Sequence, residues 1–302
     1  MTGFPWRTRC RITRRHYLPA YAIVVRVNAY DAQPVITSPA NPRVKWLVGL
    51  RKRRARDAEG VTVVEGFEEL TLALDAGVRP LALYFCPDLV ADDTRLSTVE
   101  RVAAGGIEVV ELGKAAFEKA SYRESPDGWL AAVPTPGRAV SELAVGPDPL
   151  ILVCESIEKP GNLGAMLRTA EAAGVDAVIA ASPLADWGNP NVIRASKGTV
   201  FALPVAAASS TEVAAWLRER HIQIVVASPG ADALVTDLDL TCGTAVVVGA
   251  EHAGVSAAWL ELTDHAARLP MFGRSNSLNV ATSAAIVIYE ALRQRASTTS
   301  TR

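Results

Sequence analysis

Leu150 to Ala181 reads LILVCESIEKPGNLGAMLRTAEAAGVDAVIAA. Leu150–Cys154 is an unbroken apolar run, and Pro160-Gly161 turns the chain after it. Leu163, Leu167 and Ala170 recur at helical spacing, so a helix is predicted over Leu163–Ala173. Ala177–Ala181 is apolar again and reads as a second strand. Strand, helix, strand is the unit from which parallel sheets are built. Downstream, the same reading predicts strands at Ile222–Ala227, Ala245–Val248 and, shorter, near Arg268–Met271. Helices are predicted at Val213–Arg220, Ala257–Asp264 and Leu278–Arg295. Near-continuous apolar runs such as AVVVG (residues 245–249) suit a sheet covered on both faces.

Upstream lies a smaller alternating region. A helix is expected in SPANPRVKWLVGLRKRRAR (residues 38–56), with Pro42 in its first turn. Strands are expected at Val61–Val64, Leu81–Phe85, Ile107–Leu112 and Trp129–Val133, and helices at Gly66–Ala76 and Lys114–Ala120. Pro134, Pro136, Gly137, Gly146, Pro147 and Pro149 mark a linker. The expected fold class is therefore α/β, with a small domain over 34–133, a linker over 134–149 and a parallel-sheet domain over 150–296. Tails are expected at 1–33 and 297–302.

The formal net charge of −1 conceals an asymmetry. Up to Gly60 there are thirteen Lys and Arg against three acids, so the rest of the chain is acidic. A basic N-terminal end suits a polyanion. Arg43, Lys45, Arg51, Lys52, Arg53, Arg54 and Arg56 are the candidate phosphate contacts; the alternative is a solvated helix face. Thr13–Leu18 resembles a twin-arginine export signal, but Arg26 interrupts the short apolar stretch after it, so a basic tail is expected. Cys10, Cys86, Cys154 and Cys242 are scattered, which fits a reducing cytosol and no disulfide framework. No membrane span, metal site, dinucleotide fingerprint or phosphate loop is expected.

Three segments carry chemistry. In PGNLGAMLRTAEAAGV (160–175), Asn162 stands where a helix cap belongs, and Arg168 is one step off the buried stripe. A solvated Arg168–Glu171 pair is the plain alternative. In AVVVGAEHAGVS (245–256), a strand ends in Gly249, and Gly254 follows in a tight loop. Ligands bind at such strand ends in α/β proteins, although Ser256 could simply cap a helix there. In LPMFGRSNSLNVATSAAIVIYEAL (269–292), polar residues crowd the start of a helix that is apolar almost all round. Ser275 or Ser277 as an ordinary cap is the alternative.

Together and in this order, the three segments resemble the signature motifs of the SpoU family of SPOUT methyltransferases. NPNVIRASKGTVFALPV (189–205) resembles the same family. SPANPRVKWL, VVEGFEELTLALDAG and SPDGWLAAV resemble its L30e-like substrate-binding domain. The resemblance spans about Ile36 to Arg295. It implies a deep trefoil knot, a homodimer and S-adenosylmethionine as cofactor. The implied activity is methylation of a ribose 2′-OH, with 23S rRNA as the leading substrate. A tRNA substrate, or a catalytically silent RNA-binding protein, are the other readings. Carried over by position, Asn162, Arg168, Glu251, Ser277 and Asn279 are the catalytic candidates. Gly249, Met271, Ser277 and Leu278 are the cofactor-binding candidates. The family segment before GTVF contains Arg194, Ala195 and Ser196.

Overall fold

A computed structural model describes residues 34–250 and 253–299. The twin-arginine-like stretch and Glu251 lie outside the described residues. The N-terminal part holds β1 (Val61–Glu65), β2 (Ala82–Phe85), β3 (Glu108–Glu111) and β4 (Trp129–Pro134), in sheet order β1-β4-β2-β3. β4 runs antiparallel to β1 and β2, while β2 and β3 are parallel. Helices α1 (Pro42–Gly49), α2 (Arg53–Glu59), α3 (Phe67–Asp75), α4 (Ser97–Ala104) and α5 (Lys114–Ala120) complete this part.

The C-terminal part holds β5 (Leu150–Glu155), α6 (Pro160–Ala172), β6 (Ala177–Ala181), α7 (Pro190–Ala195), β7 (Val205–Ala208), α8 (Ser210–Glu219) and β8 (Gln223–Ala227). Then come β9 (Ala233–Leu234), β10 (Thr244–Val248), α9 (Ala257–Leu262), β11 (His265–Arg268) and α10 (Val280–Thr299). Its seven strands are parallel, in order β7-β6-β5-β10-β8-β11-β9. β5, β6 and β10 are buried at every position. The two-residue period divides them cleanly between faces. Leu152 and Cys154 pack with Leu163, Met166, Val287 and Ile288 on one side. Ile151 and Val153 pack with Val213, Trp216, Leu217 and Trp259 on the other. Burial pushes the Cys154 thiol up to about 12, so this cysteine packs as a small hydrophobe.

Several expectations shift. The helix over 38–56 is two helices, broken at residues 50–52. Leu50 is pulled into the core with Val44 and Leu47, and the break frees backbone carbonyls. Arg56 fills that role: its Nη1 donates to the Leu50 and Arg51 carbonyls, each at 3.0 Å. α6 starts at Pro160, with Lys159 before it, so Asn162 lies inside the first turn and is not its cap. Proline at the first helical position explains the earlier start. The strand expected near 268–271 ends at Arg268, where its partner β8 also ends and Pro270 lacks an N–H to continue the ladder. α4, β7 and the short β9 were not anticipated. The linker is pinned: the Arg138 N–H donates to the Val205 carbonyl at 3.1 Å.

The two parts are joined by buried polar contacts. Arg56 is 2% exposed, and its Nη2 lies 2.7 Å from Asp186 Oδ2. The Thr62 hydroxyl donates to the Gly188 carbonyl. Gly198, at φ +84°, lies so close to the Glu69 backbone that a Cβ would come within 3.0 Å of its carbonyl. Lys197 pairs with Glu68 at 3.1 Å. No helix of the described residues is long and apolar enough to cross a membrane.

Arg56→Ala is expected to strand Asp186 and two carbonyls. Removing one partner of a buried pair costs about 3–5 kcal/mol. Urea unfolding should show a clearly lowered midpoint; an unchanged midpoint would deny Arg56 its structural role.

Candidate active site

Three loops meet at the carboxyl ends of the neighbouring strands β8, β10 and β11. They enclose a cavity of about 730 Å3 including its open mouth. Ala227 is the last residue of β8 and Ser228 follows it, and Gly249 and Ala250 come from the loop after β10. Leu269, Met271, Ser277 and Leu278 come from the stretch between β11 and α10. Every sequence-level cofactor candidate therefore lines this one space. The wall is mostly apolar, with Ser228, Asn276, Ser277, Ser283 and Arg268 as its polar residues, as expected for a pocket that orients a ligand by a few polar groups.

Gly249 is where β10 becomes cavity wall. A Cβ there would sit 2.2 Å from the Gly254 carbonyl oxygen. The loop closes on itself through the Gly254 N–H, which donates to the Ala250 carbonyl at 2.8 Å, with Gly254 at φ +68°. No side chain fits between these backbones, so glycine at 249 is a steric requirement. This leaves backbone, and not side chain, facing the cavity.

A second, smaller pocket adjoins the first, and Ala250 and Val280 line both. Asn162 lines it from α6, and Lys159 from just before that helix. Asn279 ties the start of α10 to α6. Its Oδ1 accepts from the Ala281 N–H at 2.9 Å, and its carbonyl accepts from Ser283 N–H at 2.9 Å, which starts α10. Its Nδ2 donates to Asn162 Oδ1 at 3.2 Å. One side chain thus caps a helix and joins the first segment to the third. Ser277 lines the cavity, and its carbonyl accepts from the Ser275 hydroxyl at 2.8 Å.

Arg168 is placed differently. It is exposed on α6 and lines neither pocket. Six residues separate it from Asn162, roughly 9 Å along the helix and about 120° around it. Among the described residues it forms neither the Glu171 pair nor another ion pair. Gly164, between them, is pressed against α7, where a Cβ would meet Ala195 Cβ at 2.4 Å. Ser196 is buried and turns its hydroxyl to the Ile193 carbonyl at 2.9 Å, so it serves packing. Arg194 is exposed and bonds Asn191 at 3.0 Å.

Sequence reading missed Glu155. This buried carboxylate ends β5 and accepts from the Ser256 N–H at 2.8 Å and the Ser256 hydroxyl at 2.6 Å. It anchors the far end of the loop that begins at Gly249. The signal was present: an acid closing the all-apolar strand LILVCE.

The basic face is smaller than its sequence suggests. Arg56 is buried against Asp186 and cannot reach phosphate. Arg51 is half-buried; it donates to the carbonyls of Lys119 and Ser121 at the end of α5 and stacks 5.1 Å from the Tyr122 ring. Arg43 pairs with Glu108 at 2.7 Å, which holds its guanidinium above the usual range. Arg53 reaches the Leu184 carbonyl at 3.3 Å and Asp57 at 3.5 Å. Lys45, Lys52 and Arg54 are exposed.

The chain is similar to known proteins along most of its length. The SpoU rRNA methylase family matches residues 149–289, and an MRM3-like substrate binding domain matches residues 41–131. The chain is 32% identical over 264 residues to the 23S rRNA (uridine(2479)-2′-O)-methyltransferase of Streptomyces viridochromogenes, covering 84% of this chain and 90% of that one. A crystal structure of an RNA 2′-O ribose methyltransferase is similar with a TM-score of 0.75 at 41% identity, over 87% of this chain and 100% of the other. The SpoU methyltransferase AviRb from Streptomyces viridochromogenes, in complex with AdoMet, gives a TM-score of 0.77 at 30% identity, over 85% and 100%. With both halves matched and a relative 32% identical over most of both chains, the chain belongs to the SpoU rRNA methylase family.

Proposed function

We propose that this protein transfers a methyl group from S-adenosylmethionine to a ribose 2′-OH of structured RNA, with 23S rRNA as the substrate. The observation that carries this reading is the Asn279–Asn162 hydrogen bond beside the three-loop cavity. It joins two motifs that are 117 residues apart. The glycine backbone at 249 and the apolar wall of Leu269, Met271 and Leu278 suit the flat adenine ring and the methionine chain of the cofactor. When bound, the cofactor supplies an already activated methyl group.

What remains for the protein is positioning. A 2′-OH is a poor nucleophile and must lose its proton as it attacks. Arg168 is the candidate cation for the RNA phosphate and the developing oxyanion. An arginine is suited to hold and orient negative charge and not to take up a proton, so the role given to Arg168 is electrostatic. Asn162, held by Asn279, would orient the ribose. Ser277 would hold the substrate side of the cavity, and Glu251 would fix its own loop. The N-terminal part, as an L30e-like domain, would grip the RNA through Lys45, Lys52 and Arg54.

The family reading also supplies a knot and a dimer. α10 follows β11 at one side of the sheet, yet packs against α6 and β10 at its middle, a return consistent with threading under a loop. Ile286 and Tyr289 leave α10 with an exposed apolar side, which suits a second copy. A cytosolic location fits an rRNA substrate.

Mapping 2′-O-methylation in cells with and without the gene tests the activity. One 23S rRNA position should lose its methyl group, and the gene with Arg168→Ala should not restore it. Cofactor affinity of that variant should stay near wild type, because Arg168 lies outside the cavity. Full turnover by Arg168→Ala would remove it from the mechanism.

RNA affinity should fall with salt, with a log–log slope of about −0.7 to −0.9 per phosphate contacted. Replacing Lys45, Lys52 and Arg54 by Gln should flatten this slope and leave cofactor binding unchanged. A slope that stays the same would make these residues a solvated face.

Light scattering should report a dimer. Ile286→Glu should yield monomers with lost cofactor affinity, since Leu278 and Val280 lead from the cavity into this helix. A monomeric wild type with full activity would refute the arrangement.

A further inference from the structure

The stretch between β11 and α10 has a second side. Met271 lines the cavity, whereas Phe272, the next residue, is 97% exposed. Phe67, Phe85, Phe117 and Phe201 are buried or half-buried, so Phe272 stands apart among the described phenylalanines. An aromatic ring left in water forgoes the burial that usually justifies it. The fold gains nothing from this side chain.

Its surroundings point to a ligand. Arg274 is exposed two residues on, and Gly273 between them has open space around it. Ser275, Asn276, Ser277 and Asn279 add neutral donors and acceptors. From His265 to Tyr289 there is no Asp or Glu, although the chain has 32 of them and its C-terminal part is acidic overall. An aromatic face, a cation, neutral polar groups and no carboxylate together form the chemistry that receives an unstacked nucleotide. A second copy of the chain fits this patch less well: the exposed apolar side chains Ile286 and Tyr289 lie further along α10 and need no cation.

We propose that Phe272 is a base-stacking residue. Its ring takes a nucleobase at the methylated position or directly beside it, and Arg274 pairs with the adjoining phosphate. Stacking the base outside the cavity would hold the attached ribose at the mouth, where its 2′-OH meets the site. This inference rests on the RNA-methyltransferase reading and adds the element that grips the target nucleotide itself.

The test uses the full chain with rRNA from cells lacking the gene. Phe272→Ala should raise KM for RNA about tenfold or more, the size of one lost stacking contact, with cofactor affinity unchanged by calorimetry. Phe272→Trp should restore KM, and its added fluorescence, relative to wild type, should be quenched by single-stranded RNA. Phe272→Leu should not restore KM. Wild-type KM in Phe272→Ala, or full rescue by Leu, would overturn the stacking role. A change in oligomeric mass of Phe272→Ala by light scattering would assign the ring to a contact between copies and also overturn it. If the wild type binds cofactor but methylates no RNA, the underlying activity fails, and the quenching measurement then decides stacking alone.

Discussion

The C-terminal helix returns across the sheet to pack on α6 and β10, and the site depends on this return. Ala284, Val287, Ile288 and Ala291 are buried there. Burying Val287 and Ile288 contributes roughly 1.5–3 kcal/mol each. Because the helix must lie in that groove, its first turn is carried to the carboxyl ends of β10 and β5. Asn279, which caps it, arrives beside Asn162 as a consequence. The preceding residues are drawn across the ends of β8 and β10 and become the cavity wall.

Backbone closeness does the remaining work. Gly249 against Gly254 and Gly164 against Ala195 are contacts in which a single methyl group would collide. The first brings bare backbone to the cavity. The second presses α6 onto α7, and α7 contacts β1 of the N-terminal part. Arg56–Asp186 and Thr62–Gly188 close the same seam. The N-terminal part is thereby held at a set orientation to the part that carries the cavity.

Cations in the basic run are spent in two ways. Arg51 and Arg56 satisfy carbonyls left open by helix ends and breaks, a demand that arises only once the chain is folded. Lys45, Lys52 and Arg54 instead stay exposed to solvent. Lysine and arginine are equivalent in a charge count, but the planar guanidinium can bond several carbonyls at once, which is how Arg51 and Arg56 are used.

Periodicity alone placed most strands and helices, because a two-sided parallel sheet needs continuous apolar runs and its helices need an apolar stripe. The resemblance to the family's motifs named Gly249, Met271, Ser277, Leu278, Asn162 and Asn279 as candidates; the first four line one cavity, and the last two share a hydrogen bond. Tertiary structure decided the rest. It moved the start of α6 to Pro160, which put Asn162 inside the first turn, where its side chain meets Asn279. It broke the first helix at residues 50–52, because Leu50 was needed in the core. It buried Arg56 and exposed Phe272, two outcomes that run against residue type. Sequence pattern reports what each residue prefers locally; which preference is honoured depends on partners distant in the chain, and only packing brings those together.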